Sequence, residues 1–218
     1  MTMTTVRAAT GSVSPASLLS TILDEPDTDE VGVRILDAAL AEYLEHGFRR
    51  TSVDDVARRA GLGRATIYRR FAARDEIVQA VLLRETRRFF AGIAAATAEL
   101  PDVADRIVEG FVVGLRNARE QPLLQQILAS EPEASIPFLT TRGGPAMAVL
   151  REFLLRQYLD CAQADEQQER KPEEVAEILT RLFISLVLTP DSCLPLHTDE
   201  EARATARRYL APLVAASA

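Results

Sequence analysis

Thr51-Ser52-Val53-Asp54-Asp55-Val56-Ala57-Arg58-Arg59-Ala60-Gly61-Leu62-Gly63-Arg64-Ala65-Thr66-Ile67-Tyr68-Arg69-Arg70-Phe71 is the stretch that decides the reading of this chain. Ser52 stands at the head of a short periodic run with Asp55 three positions on. Its hydroxyl can accept a free amide while the carboxylate reaches back, the capping box that opens a helix. Gly61 ends that helix, because the turn needs a positive φ that only a residue without a β-carbon adopts cheaply. Leu62 fills the angle of the turn. A second short helix follows, whose Ile67 and Phe71, four positions apart, point to one side. This is the grammar of a helix-turn-helix.

The second helix carries the chemistry. With Ile67 and Phe71 turned inward, Arg64, Ala65, Thr66, Tyr68, Arg69 and Arg70 are left for a ligand. Arginine's planar fork matches the paired acceptors of guanine in the major groove. Small Ala and Thr side chains allow close approach to thymine methyls, and a tyrosine hydroxyl reaches a phosphate. Positions 49–74 hold eight arginines against two aspartates, a local net of +6, whereas 25 basic and 32 acidic residues leave the whole chain at −7, and hence −13 outside the patch. An acidic protein with one basic patch focuses its polyanion affinity on a single surface. Double-stranded DNA is the partner that fits.

Extended over residues 31–77, the pattern resembles the DNA-binding domain of the tetracycline-repressor (TetR) family of bacterial regulators. The resemblance is carried by Gly47-Phe48 closing a first helix, Thr51-Ser52 leading a second and Val56-Ala57 within it. It continues through Ala60-Gly61-Leu62-Gly63 at the turn, Thr66-Ile67-Tyr68-Arg69-Arg70-Phe71 in the recognition helix, and Arg74-Asp75-Glu76-Ile77 after it. Gly63 stands where the family has Ser, so the recognition helix lacks a side-chain cap. Arg70 replaces His, Arg74 replaces Lys and Ile77 replaces Leu, and none of these changes removes a DNA-contacting capability. Asp54 is acidic at a position some relatives use to touch bases, and is not assigned to DNA. The resemblance implies a DNA interface of Thr51, Ser52, Arg64, Ala65, Thr66, Tyr68, Arg69, Arg70 and Arg74, with Arg74 acting on every sequence alike. It also implies a palindromic operator, a homodimer and a variable second domain that binds a small effector.

The rest of the 218-residue chain sets bounds. Its 47% apolar residues can build a sizeable core, and no stretch approaches the roughly 20 continuous apolar residues of a membrane helix. No signal-peptide pattern opens the sequence, and the two cysteines, Cys161 and Cys193, suit a reduced cytoplasm better than a disulfide framework. A cytoplasmic protein without a membrane partner is expected. The two histidines, His46 and His197, are far apart and the cysteines have no paired metal spacing. With no glycine-rich phosphate loop either, no metal site, cofactor or catalytic constellation is encoded in recognisable form. His46, just before Gly47, suits a helix carboxyl end.

Almost everything reads as helix, and the expected fold is all-α. An N-terminal three-helix helix-turn-helix DNA-binding domain is followed by a C-terminal helical ligand-binding and dimerisation domain. The expected division is a flexible N-terminal segment over 1–29, the DNA-binding domain over 30–77 and the second domain over 78–218. Within the first segment, Ser14-Pro15 offers a start for one short helix reaching residue 24. The domain helices are expected over 31–46, 75–100, 104–120, 123–129, 146–162 and 172–188, with a last one capped by Thr198. Residues 182–188, Leu-Phe-Ile-Ser-Leu-Val-Leu, are apolar on every side and should be buried all round.

The leading functional expectation is a homodimeric repressor released from its operator by a small hydrophobic ligand. Two alternatives stand beside it: a DNA-bound helical scaffold answering to a protein partner, and a helical enzyme carrying a DNA-binding unit. Leu182, Leu186, Tyr209, Leu210 and Leu213 are the expected dimer interface, as part of a four-helix bundle. Phe89, Phe90, Ile93, Phe111, Leu115, Leu124, Phe138, Phe153 and Phe183 are the expected pocket, with Arg116 or Asn117 as a candidate polar anchor, Arg116 reading more readily as a surface residue. An acyl chain or hydrophobic drug is the ligand class that the family resemblance favours.

Overall fold

The computed structural model describes residues 14–23, 29–130, 140–141, 143–159 and 171–214. Among these residues all regular structure is helical: α1 Pro15–Leu23, α2 Glu30–His46, α3 Val53–Ala60, α4 Arg64–Arg70, α5 Arg74–Thr97, α6 Val103–Glu120, α7 Pro122–Ser130, α8 Gly144–Leu159, α9 Pro172–Leu188, α10 Asp199–Tyr209 and α11 Ala211–Val214.

Local signals set most of these boundaries. Asp29 caps α2 by accepting the Gly32 amide, and Gly47 ends it at φ 80°. Ser52 and Asp55 form both halves of the capping box on α3, and Gly61 ends that helix in the left-handed conformation at φ 63°. The Asp55 carboxyl is drawn down to about 2, first by the Ser52 hydroxyl and then by the Ser52 amide and Arg58. The lowered value means that this cap is at full strength above the usual carboxylate range and fades as pH falls toward 2. Thr198 and Glu201 make the same box on α10.

The first core is formed by α2, α3, α4 and the start of α5. Tyr43, Ile35, Val56 and Ile67 are essentially inaccessible there, and burial pushes the Tyr43 phenol up to about 12. Two residues beyond position 77 belong to this core. Val81 closes it from α5, and Leu123, only 2% exposed, enters it from α7. Helix α5, 24 residues and so about 36 Å long, runs from this unit into the second domain. There α6 is central, with α5 against it on one side and α10 and α11 on the other, while α8 pairs with α9.

Three expectations change. First, the short helix expected from Ser14-Pro15 forms as α1 over residues 15–23, but it is docked on α5 and α8 with Leu19 fully buried and does not stand free in a flexible segment. Second, no residue of 182–188 is fully buried within one chain, and Leu182 is 41% exposed. Third, Leu210 is not on an outward stripe. It is 8% exposed and lies in the second core with Val108 and Ala206, while Leu186 and Leu213 lean on that core. The stripe breaks because Pro212 has no amide proton to continue the helix, and α10 ends at Tyr209.

Candidate nucleic-acid interface

Helix α4 is held by Ile67 beneath it and Phe71 at its end, and this leaves Arg64, Ala65, Tyr68 and Arg69 exposed, with Thr66 half-buried. The Arg64 guanidinium lies over the Tyr68 ring, 5.3 Å from its centre, and donates to its hydroxyl at 3.3 Å. Asp54, left without a role by the sequence, accepts from Arg64 at 3.1 Å and so fixes where that guanidinium starts from. Arg70 pairs with Asp29, the cap of α2, and the Gly32 amide and Arg70 hold that carboxyl below its ordinary range. Arg50 and Arg69 are exposed and make no ion pair among the described residues.

Three members of the expected interface are engaged inside the protein. Thr51 is 3% exposed, and its hydroxyl donates to the carbonyls of Gly47 and Glu42 at 2.9 and 3.3 Å, so that hydroxyl is not presented to DNA. The Ser52 hydroxyl donates to Asp55 at 2.6 Å and its amide to the same carboxylate at 3.0 Å, which leaves no side-chain donor for a phosphate. Arg74 donates to the carbonyls of Thr51 and Phe48, tying the loop after α2 to the start of α5. Arg59 is likewise paired with Glu42 and Glu45 of α2. The local charge is therefore smaller than the sequence count, because acidic groups distant in sequence fold onto the arginines.

These placements separate two variants. Arg69→Ala is expected to cost roughly 1 to 3 kcal/mol of DNA affinity and to relax base choice. Arg74→Ala is expected instead to lower stability by about 1 to 3 kcal/mol, since two carbonyls lose a charged donor. Urea unfolding beside anisotropy titrations on matched and mismatched duplexes resolves the two. A stable Arg74→Ala chain with uniformly weakened DNA binding would return that residue to the phosphates.

The second domain holds an apolar cavity of about 440 Å³ between α5, α7, α8 and α9. Phe89, Phe90, Leu124 and Phe183 of the expected pocket line it. Ile93, Phe111 and Phe153 instead surround a void of about 50 Å³, with Phe183 and Leu150 bordering both spaces. Leu115 lines neither and is 1% exposed in the core around α6, while Phe138 lies outside the described residues. The expected anchors also move. Arg116 pairs with Asp199 and Asn117 lines neither space, whereas Glu85, Thr86 and Gln121 are the polar residues on the larger cavity. Glu85 Oε1 accepts from Arg84 at 3.3 Å and Arg88 at 2.9 Å, and among the described residues its Oε2 meets only the Gln121 amide, at 3.5 Å.

Among the described residues no group of three or more His, Cys, Asp or Glu could hold a metal ion, and no helix is long and apolar enough to cross a membrane. Cys193 is an exposed free thiol, and Cys161 lies outside the described residues.

Residues 35–81 match the family described as bacterial regulatory proteins, tetR family. An uncharacterized HTH-type transcriptional regulator of Mycobacterium bovis is 31% identical over 140 residues, 63% of this chain and 68% of that one. The HTH-type transcriptional regulator AlkX of Mycobacterium tuberculosis is 24% identical over 180 residues, 82% of each chain. In fold the chain is similar to the crystal structure of the TetR family repressor AlkX from a Dietzia strain, implicated in biodegradation of n-alkanes. That likeness has a TM-score of 0.57 at 22% identity and covers 87% of this chain and 97% of the other. Salmonella enterica GusR gives a TM-score of 0.59 at 20% identity, with 87% and 97% covered. The curated relatives are transcriptional regulators, which are not enzymes.

Proposed function

Because the chain belongs to the TetR family of DNA-binding transcriptional regulators, we propose that it is a homodimeric repressor released from a palindromic operator by a small, mostly apolar ligand. One observation carries this reading. Leu82, Leu123 and Ile127 line the 440 Å³ cavity and also belong to the core of the DNA-binding unit or lean on it. A ligand that moves them presses on the base of the helix-turn-helix directly.

The rest follows from geometry. Two recognition helices must enter successive major grooves about 34 Å apart, so a change in their separation changes affinity. Helices α5 and α7 are the levers that reach from the cavity to that unit. Coupling on the order of 1 to 3 kcal/mol is what such regulators require. Among the described residues Glu85 is the one charged side chain on the cavity lining, and its Oε2 can accept from a further donor. An apolar body carrying a hydroxyl or amine suits it better than a free carboxylate, which narrows the acyl class favoured by the resemblance.

The test begins with selection of duplexes that bind the full chain, from which an inverted repeat is expected. Thermal melting is then followed with 1-decanol, decylamine and decanoate. A ligand at a hundred times its Kd adds about 2.7 kcal/mol, a rise of roughly 5 to 10 °C for a chain of this size. Ligands that raise the melting temperature should release the selected duplex. Decanoate as the strongest of the three would overturn the Glu85 assignment, and release by none of them would overturn the cavity as effector site.

A further inference from the structure

Helix α1 precedes the DNA-binding unit in sequence yet sits on the second domain. At nine residues it is too short to persist alone in water, so its order depends on what it lies against. Ser14 caps it by accepting the Ser17 amide at 3.1 Å, with Pro15 at the first helical position. Leu19, fully inaccessible, is sunk among Phe90, Ile93, Val149 and Phe153. Two arginines fasten its ends. Arg87 of α5 donates to the carbonyls of Ile22 and Thr21 at 2.6 and 3.3 Å, in the last turn of the helix, where carbonyls run out of intrahelical donors. Arg156 of α8 donates to the Ala16 carbonyl and the Ser20 hydroxyl at 3.2 and 3.3 Å.

The helix therefore bridges α5 and α8, which are two walls of the 440 Å³ cavity, and its Ile22 is on the cavity lining. We infer that α1 is a wall of the ligand site and that Ile22 is a specificity-determining residue, limiting the length of apolar ligand the site accepts. This rests on the cavity being the effector site. Ile22 offers a ligand only hydrocarbon, so the selection is by shape, and a larger side chain there shortens the space available. By reciprocity, a ligand that touches Ile22 favours the docked helix, and loosening the helix weakens the ligand. Arg87 and Arg156 act through α1 and are positioning residues.

The probe is N-phenyl-1-naphthylamine, whose fluorescence rises in apolar sites, displaced by 1-alkanols of six to fourteen carbons. Full-length Ile22→Trp is expected to bind it about tenfold more weakly and to shift the best competitor to a shorter alkanol. Ser17→Trp, on the exposed side of α1, should match the wild type in both respects. The Arg87→Ala, Arg156→Ala double variant should lose about tenfold in probe affinity while its DNA binding without ligand is kept. Hydrogen exchange of the α1 amides should be slow in the wild type, slower with probe, and fast in the double variant. Unchanged probe affinity and alkanol preference in Ile22→Trp would overturn this inference alone, as would α1 amides that exchange at the unfolded rate in the wild type. A wild-type chain that takes up neither probe nor alkanol would overturn the effector cavity itself, and the inference with it.

Discussion

Replacing Ile178 and Leu182 together by glutamate is expected to give folded monomers that no longer hold an operator. Both lie on one face of α9, four positions apart, and they are 47% and 41% exposed in a single chain, with Tyr209 of α10 at 51%. We propose that a second copy of the chain covers this face, because large apolar side chains grouped on one surface suit a self-complementary contact. Glutamate at these positions adds charge where the dimer would exclude water and disturbs little within the subunit, so the monomer should melt near the wild-type temperature. A monomer engages one half-site, and losing the tethered second contact should weaken operator binding on the order of a hundredfold or more. Leu186 is the poorer target because it leans on its own core. Sedimentation velocity and anisotropy titrations read both outcomes. A double variant that stays dimeric would remove α9 from the interface.

Leu123→Ala should produce the second large effect, and at a distance. The residue belongs to α7 but is 2% exposed inside the core of the DNA-binding unit. Truncation there should cost about 2 to 5 kcal/mol, lowering the melting temperature by roughly 5 to 20 °C. Because the same side chain lines the cavity, ligand-driven release should weaken along with stability. Calorimetry with and without 1-decanol, followed by operator release, measures the pair. A loss under about 1 kcal/mol would mean that α7 only rests on the unit.

What was legible beforehand was local. The Ser52–Asp55 box, the turn at Gly61, the stop at Gly47 and the Thr198–Glu201 cap each depend on residues a few positions apart, and each is found. The inward turn of Thr51 and Arg74 was not legible, because it depends on carbonyls of residues 42 to 51 that only the folded loop brings near. The pairing of Arg70 with Asp29 spans 41 positions, and that of Arg59 with Glu42 spans 17. The cavity was read only in part, for a related reason. An apolar residue looks the same in sequence whether it fills a core, as Leu115 does, or borders a space, as Leu124 does. Ile178, 47% exposed, was passed over although its four-residue spacing from Leu182 was there to be seen.

The arginines that start out beside carboxylates bear on how the protein would find its operator. For Arg64 and Arg70 a DNA phosphate or base must displace Asp54 or Asp29, so one anion is exchanged for another. Such a side chain contributes less to the release of condensed cations than a free one, and affinity should fall with salt less steeply than eight arginines per subunit would suggest. The same exchange handicaps every duplex that offers charge without the right contour. In a chromosome, where indifferent sites outnumber the operator by orders of magnitude, that handicap shortens each futile stop and keeps the pool of searching molecules large.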